Sequence, residues 1–284
     1  MIKDVQAVAK FLEITVRDFT DVAVVGVSGG VDSSLVACIC TAALGPKNVY
    51  LVSMPYDKID TDTFNSRSAE LAEVLKANHF VVPIKEACTP IEEELKKVFA
   101  DKPLDKLTLA NIRPRVRMNI LYSISAELGY KLKKRVRVMG TGHLSEDIIG
   151  YDTKGGDALA DIFILSDLVK SEVYQLAEYY PVPESILKAE PSAGLYPGQT
   201  DFNELGYTYD QLEAPSLALF KALKRGVPRS KLSPALPEFH GLNPEISSFV
   251  IERYKQHYHK HQAPVTVDLR KPAWFTDAVP ESER

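Results

Sequence analysis

The chain reads as an α/β protein, a doubly wound parallel sheet with flanking helices, and three observations predict it. Residues 22–27 form an almost wholly apolar, β-branched run of strand length, the pattern of a strand buried on both faces. Similar short runs at 48–54, 79–84 and 136–141 alternate with segments of helical spacing, which implies a parallel sheet built from crossover units. The 284 residues, 45% hydrophobic and 25% charged, suffice for one sizeable core and argue against global disorder.

The elements follow in order. Val5, Val8, Leu12 and Val16 recur at helical spacing and predict an amphipathic helix over 3–19. The first strand breaks at Ser28-Gly29-Gly30, and helical spacing resumes over 32–43. Leu71, Val74 and Leu75 mark a helix over 62–76. Thr89-Pro90-Ile91-Glu92 has the form of a capping box with proline at the first helical position, predicting a helix from there to about Phe99. A further helix is expected over 112–128, closed by Gly129. Beyond Tyr180 prolines become dense, and helices and loops packed on the sheet are expected. A single domain over 1–270 with a C-terminal tail over 271–284 is the simplest division.

Composition narrows the function. A net charge of −4 and a pI near 5.9 weigh against nucleic acid as the main partner. Cys38, Cys40 and Cys88 make no zinc pattern and read as small core residues in a reducing compartment. The N-terminus lacks an apolar signal core and no run approaches a membrane span, so a cytoplasmic protein is expected.

The chemistry concentrates first at Gly26-Val27-Ser28-Gly29-Gly30-Val31-Asp32-Ser33. Glycines between a buried strand and a helix let backbone N–H groups reach an anion at the helix N-terminus. The lysine of the usual phosphate loop is missing, and an acid, Asp32, stands there instead. A carboxylate beside polyphosphate requires a divalent cation between them, so Mg²⁺ is expected with the nucleotide. The competing reading is a glycine turn in which Asp32 and Ser33 cap the helix. In such sheets ligands bind where strand order reverses. If the first and fourth strands flank that point, Glu146 in the fourth loop shares a metal with Asp32. Removing the Asp32 carboxylate should then abolish activity and leave the fold intact.

Ser28 to Ser33 resembles the pyrophosphate loop of the ATP pyrophosphatases, which implies an adenine nucleotide alpha hydrolase-like fold. The acceptor is suggested by G-T-G-H-L-S-E-D at 140–147, the segment continuing to Asp161, L-V-K at 168–170, and P-G-Q-T-D-F-N-E-L-G at 197–206. With R-P-R-V-R-M at 113–118 and His259-Lys260, this resembles ammonia-dependent NAD synthetase over about residues 1–264. The resemblance implies adenylation of the nicotinate carboxylate of deamido-NAD by ATP, then displacement of AMP by ammonia. It places ATP on the Gly26 to Ser33 loop, Thr141, Lys170 and Ser192. It places deamido-NAD on Arg115, Lys154, Asp161, His259 and Lys260. Asp32, Asp157 and Lys170 would be catalytic, and Asp32 with Glu146 would hold Mg²⁺. It also implies a homodimer. With no amidase domain expected, free ammonia is the expected nitrogen source.

Each residue has a plainer reading: solvated lysines, a surface loop over 150–161, a basic stripe from Arg113 and Arg117, and cationic residues at a helix end. Ile164 departs from a proline common in the family, and 213–243 looks longer than usual. Alternatives are another ATP pyrophosphatase, for tRNA thiolation or of GMP synthetase type, or a non-catalytic nucleotide-binding module. Residues 150–160, rich in glycine and charge, are expected to order over the bound nucleotides, because an acyl adenylate must be shielded from water.

Overall fold

The computed structural model describes residues 1–56, 65–100, 102–189, 201–264 and 266–267. Five parallel strands form its sheet: β1 (Val22–Gly26), β2 (Val49–Ser53), β3 (Asn78–Val81), β4 (Val136–His143) and β5 (Ile162–Leu165). Their order is β3-β2-β1-β4-β5. The chain winds outward from β1 to β2 and β3, then returns to β1's other side for β4 and β5. Strand order therefore reverses between β1 and β4, where the sequence argument needed it.

Helices cover both faces, as the continuous apolar strands require. On one face the helices Val5–Phe19, Val31–Leu44 and Lys170–Ala177 bury Leu12, Val16, Leu35, Ile39 and Leu176 against β1, β2 and β4. On the other, Lys85–Val98 and Ile112–Leu132 pack Cys88 and Ile112 against Val24, Val52 and Val136. A third cluster lies beside β4. There Leu144, Ile148 and Ile149 meet the helices Tyr209–Lys224 and Pro244–His257, so the proline-rich C-terminal part does pack as helices and loops.

Several element boundaries differ from the sequence expectations. β5 was not foreseen, because four apolar residues carry no periodicity of their own. The helix expected to start at Thr89 begins at Lys85. Buried Ile84 and Cys88 anchor its first turn on the sheet, Thr89 Oγ1 donates to the Lys85 carbonyl at 2.9 Å, and Pro90 is interior. The next long helix runs past Gly129 to Leu132, where Lys133 takes the left-handed conformation (φ 55°) and donates back to the Gly129 carbonyl. The helix expected over 62–76 is described as Asn65–Leu75.

Candidate active site

At the carboxyl ends of β1 and β4 lies a cleft of about 610 Å³. Ser28, Asp32, Thr141 and Glu146 line one end, and Asp157, His257 and Lys260 the other.

The first loop opens it. Gly29 adopts φ 78°, a conformation that a side chain would strain. The following helix is N-capped by Gly30 without a side-chain cap, which leaves its first N–H groups without a capping acceptor beside the cleft. Ser33 Oγ receives the Ser28 N–H at 3.2 Å, and Ser34 Oγ donates to the Gly30 carbonyl at 2.8 Å, which sets the loop's shape. Asp32 caps nothing. Both of its carboxylate oxygens accept from Lys170 Nζ at 2.8 Å, across 138 residues of sequence.

That pair belongs to a buried charge cluster. His143, the last residue of β4 and wholly buried, places Nε2 3.5 Å from Asp32 Oδ1, 3.4 Å from Glu146 Oε1 and 3.4 Å from Lys170 Nζ. Tyr209 joins by donating to Asp201 at 2.9 Å and to Glu146 at 3.5 Å. Burial opposes ionisation of Asp32, but the charges of Lys170 and His143 outweigh it and hold the carboxyl below its ordinary range. Burial likewise opposes the charge on Lys170, and Asp32 and Glu146 reverse that, keeping the ammonium protonated. Asp32, His143 and Glu146 bring ligand atoms within 4.8 Å of one another. Two carboxylates converging beside an open helix N-terminus suit a hard divalent cation carried in with phosphate.

The far end is built differently. Gly150, at φ 62°, lies so close to His257 that an added Cβ would stand 2.2 Å from the histidine Cβ. Lys260 Nζ donates to the carbonyls of Gly150 at 2.6 Å and Asp152 at 2.5 Å. Lys154 Nζ donates to the His259 carbonyl at 2.9 Å, and Arg115 Nε donates to the Lys154 carbonyl at 3.2 Å. The structure thus brings Arg115, Lys154, His259 and Lys260 together, and ties 150–154 to the turn Tyr258–His261. Asp157 closes the segment by accepting from the Thr153 N–H at 2.8 Å, and partial desolvation with the neighbouring Asp152 and Glu146 carboxylates pushes its carboxyl up to about 6. Thr153 Oγ1 donates to Asn111 at 2.6 Å.

Two positions have surroundings that the residues alone did not foretell. Asp161 does not line the cleft. Its carboxylate accepts from the Val138 N–H at 2.7 Å and from Tyr122 at 3.5 Å, holding the start of β5 to β4. Arg113 and Arg117 are not a solvated stripe. Arg113 stacks 3.5 Å over the Tyr56 ring, and Arg117 Nε donates to the Met54 carbonyl at 3.1 Å, so both brace the exit of β2. Ser192 lies outside the described residues.

Sequence reasoning missed His143, Tyr209 and the motif acids Asp201 and Glu204. Glu204 accepts from Tyr151 at 2.5 Å, so the D-F-N-E-L-G segment supports both Glu146, through Tyr209, and the 150–157 segment. The only hint was that Glu204 and Asp201 recur within one discriminating motif.

The three cysteines are free and buried, and burial pushes the Cys38 thiol up to about 12. Neither that thiol nor the acidic composition suits sulfur transfer to RNA.

The sequence model of the NAD synthase family matches residues 4–264. The chain belongs to the NAD synthase family. It is 41% identical over 201 residues to the NH(3)-dependent NAD(+) synthetase of Methanococcus aeolicus, covering 69% of this chain and 74% of that one. With the enzyme of the same name from Pyrococcus furiosus it shares 33% identity over 260 residues, 92% of this chain and 93% of the relative. Among solved structures, NMN synthetase from Francisella tularensis superimposes with a TM-score of 0.72 at 25% identity, covering 94% of this chain and all of that one. The fold is thus that of the NAD synthases, and no helix among the described residues is long and apolar enough to cross a membrane.

Proposed function

We infer that this NAD synthase family member makes NAD⁺ from deamido-NAD, ATP and ammonia. The observation that carries the reading is the cleft itself. A phosphate-type helix N-terminus and an acid pair lie at one end, with a cationic, strapped segment at the other.

In this reading a nicotinate carboxylate oxygen attacks the α-phosphorus of ATP, the bond to the β-phosphate oxygen breaks, and pyrophosphate leaves. The nitrogen of ammonia then attacks the acyl carbon, and AMP leaves with the former carboxylate oxygen. Ser28, Gly29, Gly30, Val31 and Ser33 hold the phosphates by backbone and hydroxyl donors. Lys170 offsets the charge that develops on the departing pyrophosphate. Asp32 and Glu146 would hold Mg²⁺, which would offset the negative charge of the polyphosphate. Asp157, at the same cleft, takes the proton that the ammonia nitrogen sheds once it has bonded to the acyl carbon. Arg115, Lys154, His259 and Lys260 form the acceptor end.

A cytoplasmic homodimer completes the reading. The buried free thiols suit a reducing compartment, and the exposed Ile91, Val98 and Phe99 on one helical segment offer an apolar surface for a second copy.

The test is to incubate the purified chain with ATP, Mg²⁺, ammonium and either deamido-NAD or nicotinate mononucleotide, and to quantify the amide product and AMP. Equal yields of NAD⁺ and AMP with deamido-NAD are expected. AMP without NAD⁺ overturns the acceptor assignment. Preference for the mononucleotide would transfer the activity named for the Francisella tularensis neighbour to this chain.

A further inference from the structure

The proposed chemistry uses Asp32, Glu146 and Lys170 and leaves unassigned a residue that touches all three. His143 ends β4, where the pairing with β5 shifts register between Gly140 and His143. The next residue, Leu144, donates its N–H to the Leu168 carbonyl at 2.9 Å, which fixes the turn. The imidazole is held at zero exposure, edge-on to Tyr209 with ring centroids 5.9 Å apart. Its Nε2 is the atom aimed at the charges, and Nδ1 has no hydrogen-bond partner.

A histidine buried only for packing would not be surrounded in this way. Two of the three charged neighbours of Nε2 are carboxylate oxygens, so a proton on Nε2 is favoured over a lone pair there. Lys170 directs its hydrogen bonds to both oxygens of Asp32, whereas Glu146 Oε1 faces His143 and the Tyr209 hydroxyl. When phosphate arrives, Lys170 has to turn from Asp32 toward it. Of the groups now touching Asp32, His143 also touches Glu146.

We infer that His143 is a positioning residue, whose Nε2–H holds the Asp32 and Glu146 carboxylates facing the cleft and so releases Lys170 to the phosphates. The inference rests on the functional reading above for the identity of the ligand. The role needs only one N–H at Nε2, which the neutral ring supplies.

The experiment compares three variants. His143→Phe keeps the ring and removes both nitrogens. His143→Gln carries an amide out to the place of Nε2, and His143→Asn reaches only the place of Nδ1. Calorimetric titration with Mg²⁺ and α,β-methylene-ATP, which cannot be cleaved at the α-phosphate, reads binding without turnover. Steady-state rates then separate kcat from the KM for deamido-NAD. The Phe and Asn variants should bind Mg²⁺ with the nucleotide about 10- to 100-fold more weakly, the usual cost of losing a partner that orients metal ligands. Gln should recover most of that loss, and the KM for deamido-NAD should hold in all three. Parental affinity in the Phe variant, or equal affinity in Gln and Asn, overturns the inference. The Gln and Asn pair decides the matter by itself if the Phe variant does not fold. If the parent forms no NAD⁺ yet the affinities divide as described, the functional reading fails and the positioning role stands.

Discussion

The two ends of the cleft are held together by different physics. At the β1 end, Asp32, His143, Glu146 and Lys170 are buried or nearly so, come from three separated stretches of sequence, and meet charge to charge. At the 150–157 end, Lys154 and Lys260 are tied down by donating to main-chain carbonyls. A buried ion cluster resists the loss of any member, because the partner left behind remains charged in a poor solvent. The exposed Lys154, held on a carbonyl, can exchange that acceptor for a ligand oxygen at little net cost. The adenylating end is therefore set before substrate arrives, and the acceptor end can rearrange around it.

The sharpest way to break this contrast is Asp32→Ala. Turnover should fall by about 10³-fold or more, since a metal-binding carboxylate is lost. The variant strands Lys170, whose side chain is 7% exposed, and should lose on the order of 3 kcal/mol of stability, seen as a lower denaturant midpoint. Adding Lys170→Met should restore the midpoint without restoring activity. A single variant as stable as the parent would show that the pair is not coupled.

At the other end the effect should be smaller and confined to the acceptor. Lys260→Ala removes two donors from the 150–152 backbone and should raise the KM for deamido-NAD roughly 10-fold, with the KM for ATP unchanged within twofold. Hydrogen exchange over 150–157 should quicken in that variant, and in the parent it should slow when ATP and deamido-NAD are bound. Equal protection in all samples would mean that the segment is no lid.

The smallest effect is a pH dependence between the two ends. Burial raises the Asp147 carboxyl to about 7. An acid whose folded pKa is raised binds more protons folded than unfolded between about 4 and 7, so its contribution to stability falls as pH rises through that window. Asp147→Asn should match the parent near pH 4 and exceed it at pH 8 by about 1 kcal/mol, after allowing for solvent screening of a partly exposed group. His257, depressed to about 4 by burial, works in the opposite sense between about 4 and 6.5. For that reason the variant is compared with the parent at each pH rather than read from one curve. A stability gap independent of pH would contradict the assignment.

Much of this was legible in the residues. Buried parallel strands announce themselves as β-branched apolar runs, Asp32 and Glu146 stood in loops whose types implied phosphate and metal, and Lys170 was legible only through the resemblance. The structure supplied the strand order that puts those loops in one crevice. Asp161 was assigned on resemblance alone, and its contact with the Val138 N–H at the start of the unforeseen β5 could not be read from the residues. His143 left no signal of its own. A single histidine at a strand end has neither period nor spacing, and its meaning comes from three neighbours that the fold assembles.

The central claim is that the cleft joins a nicotinate carboxylate to the α-phosphorus of ATP before ammonia enters. Deamido-NAD labelled with heavy oxygen in its carboxylate tests this most directly, with AMP and pyrophosphate analysed by mass spectrometry after turnover. The account predicts one labelled oxygen in AMP for each NAD⁺ formed and none in pyrophosphate; NAD⁺ accompanied by unlabelled AMP would contradict it.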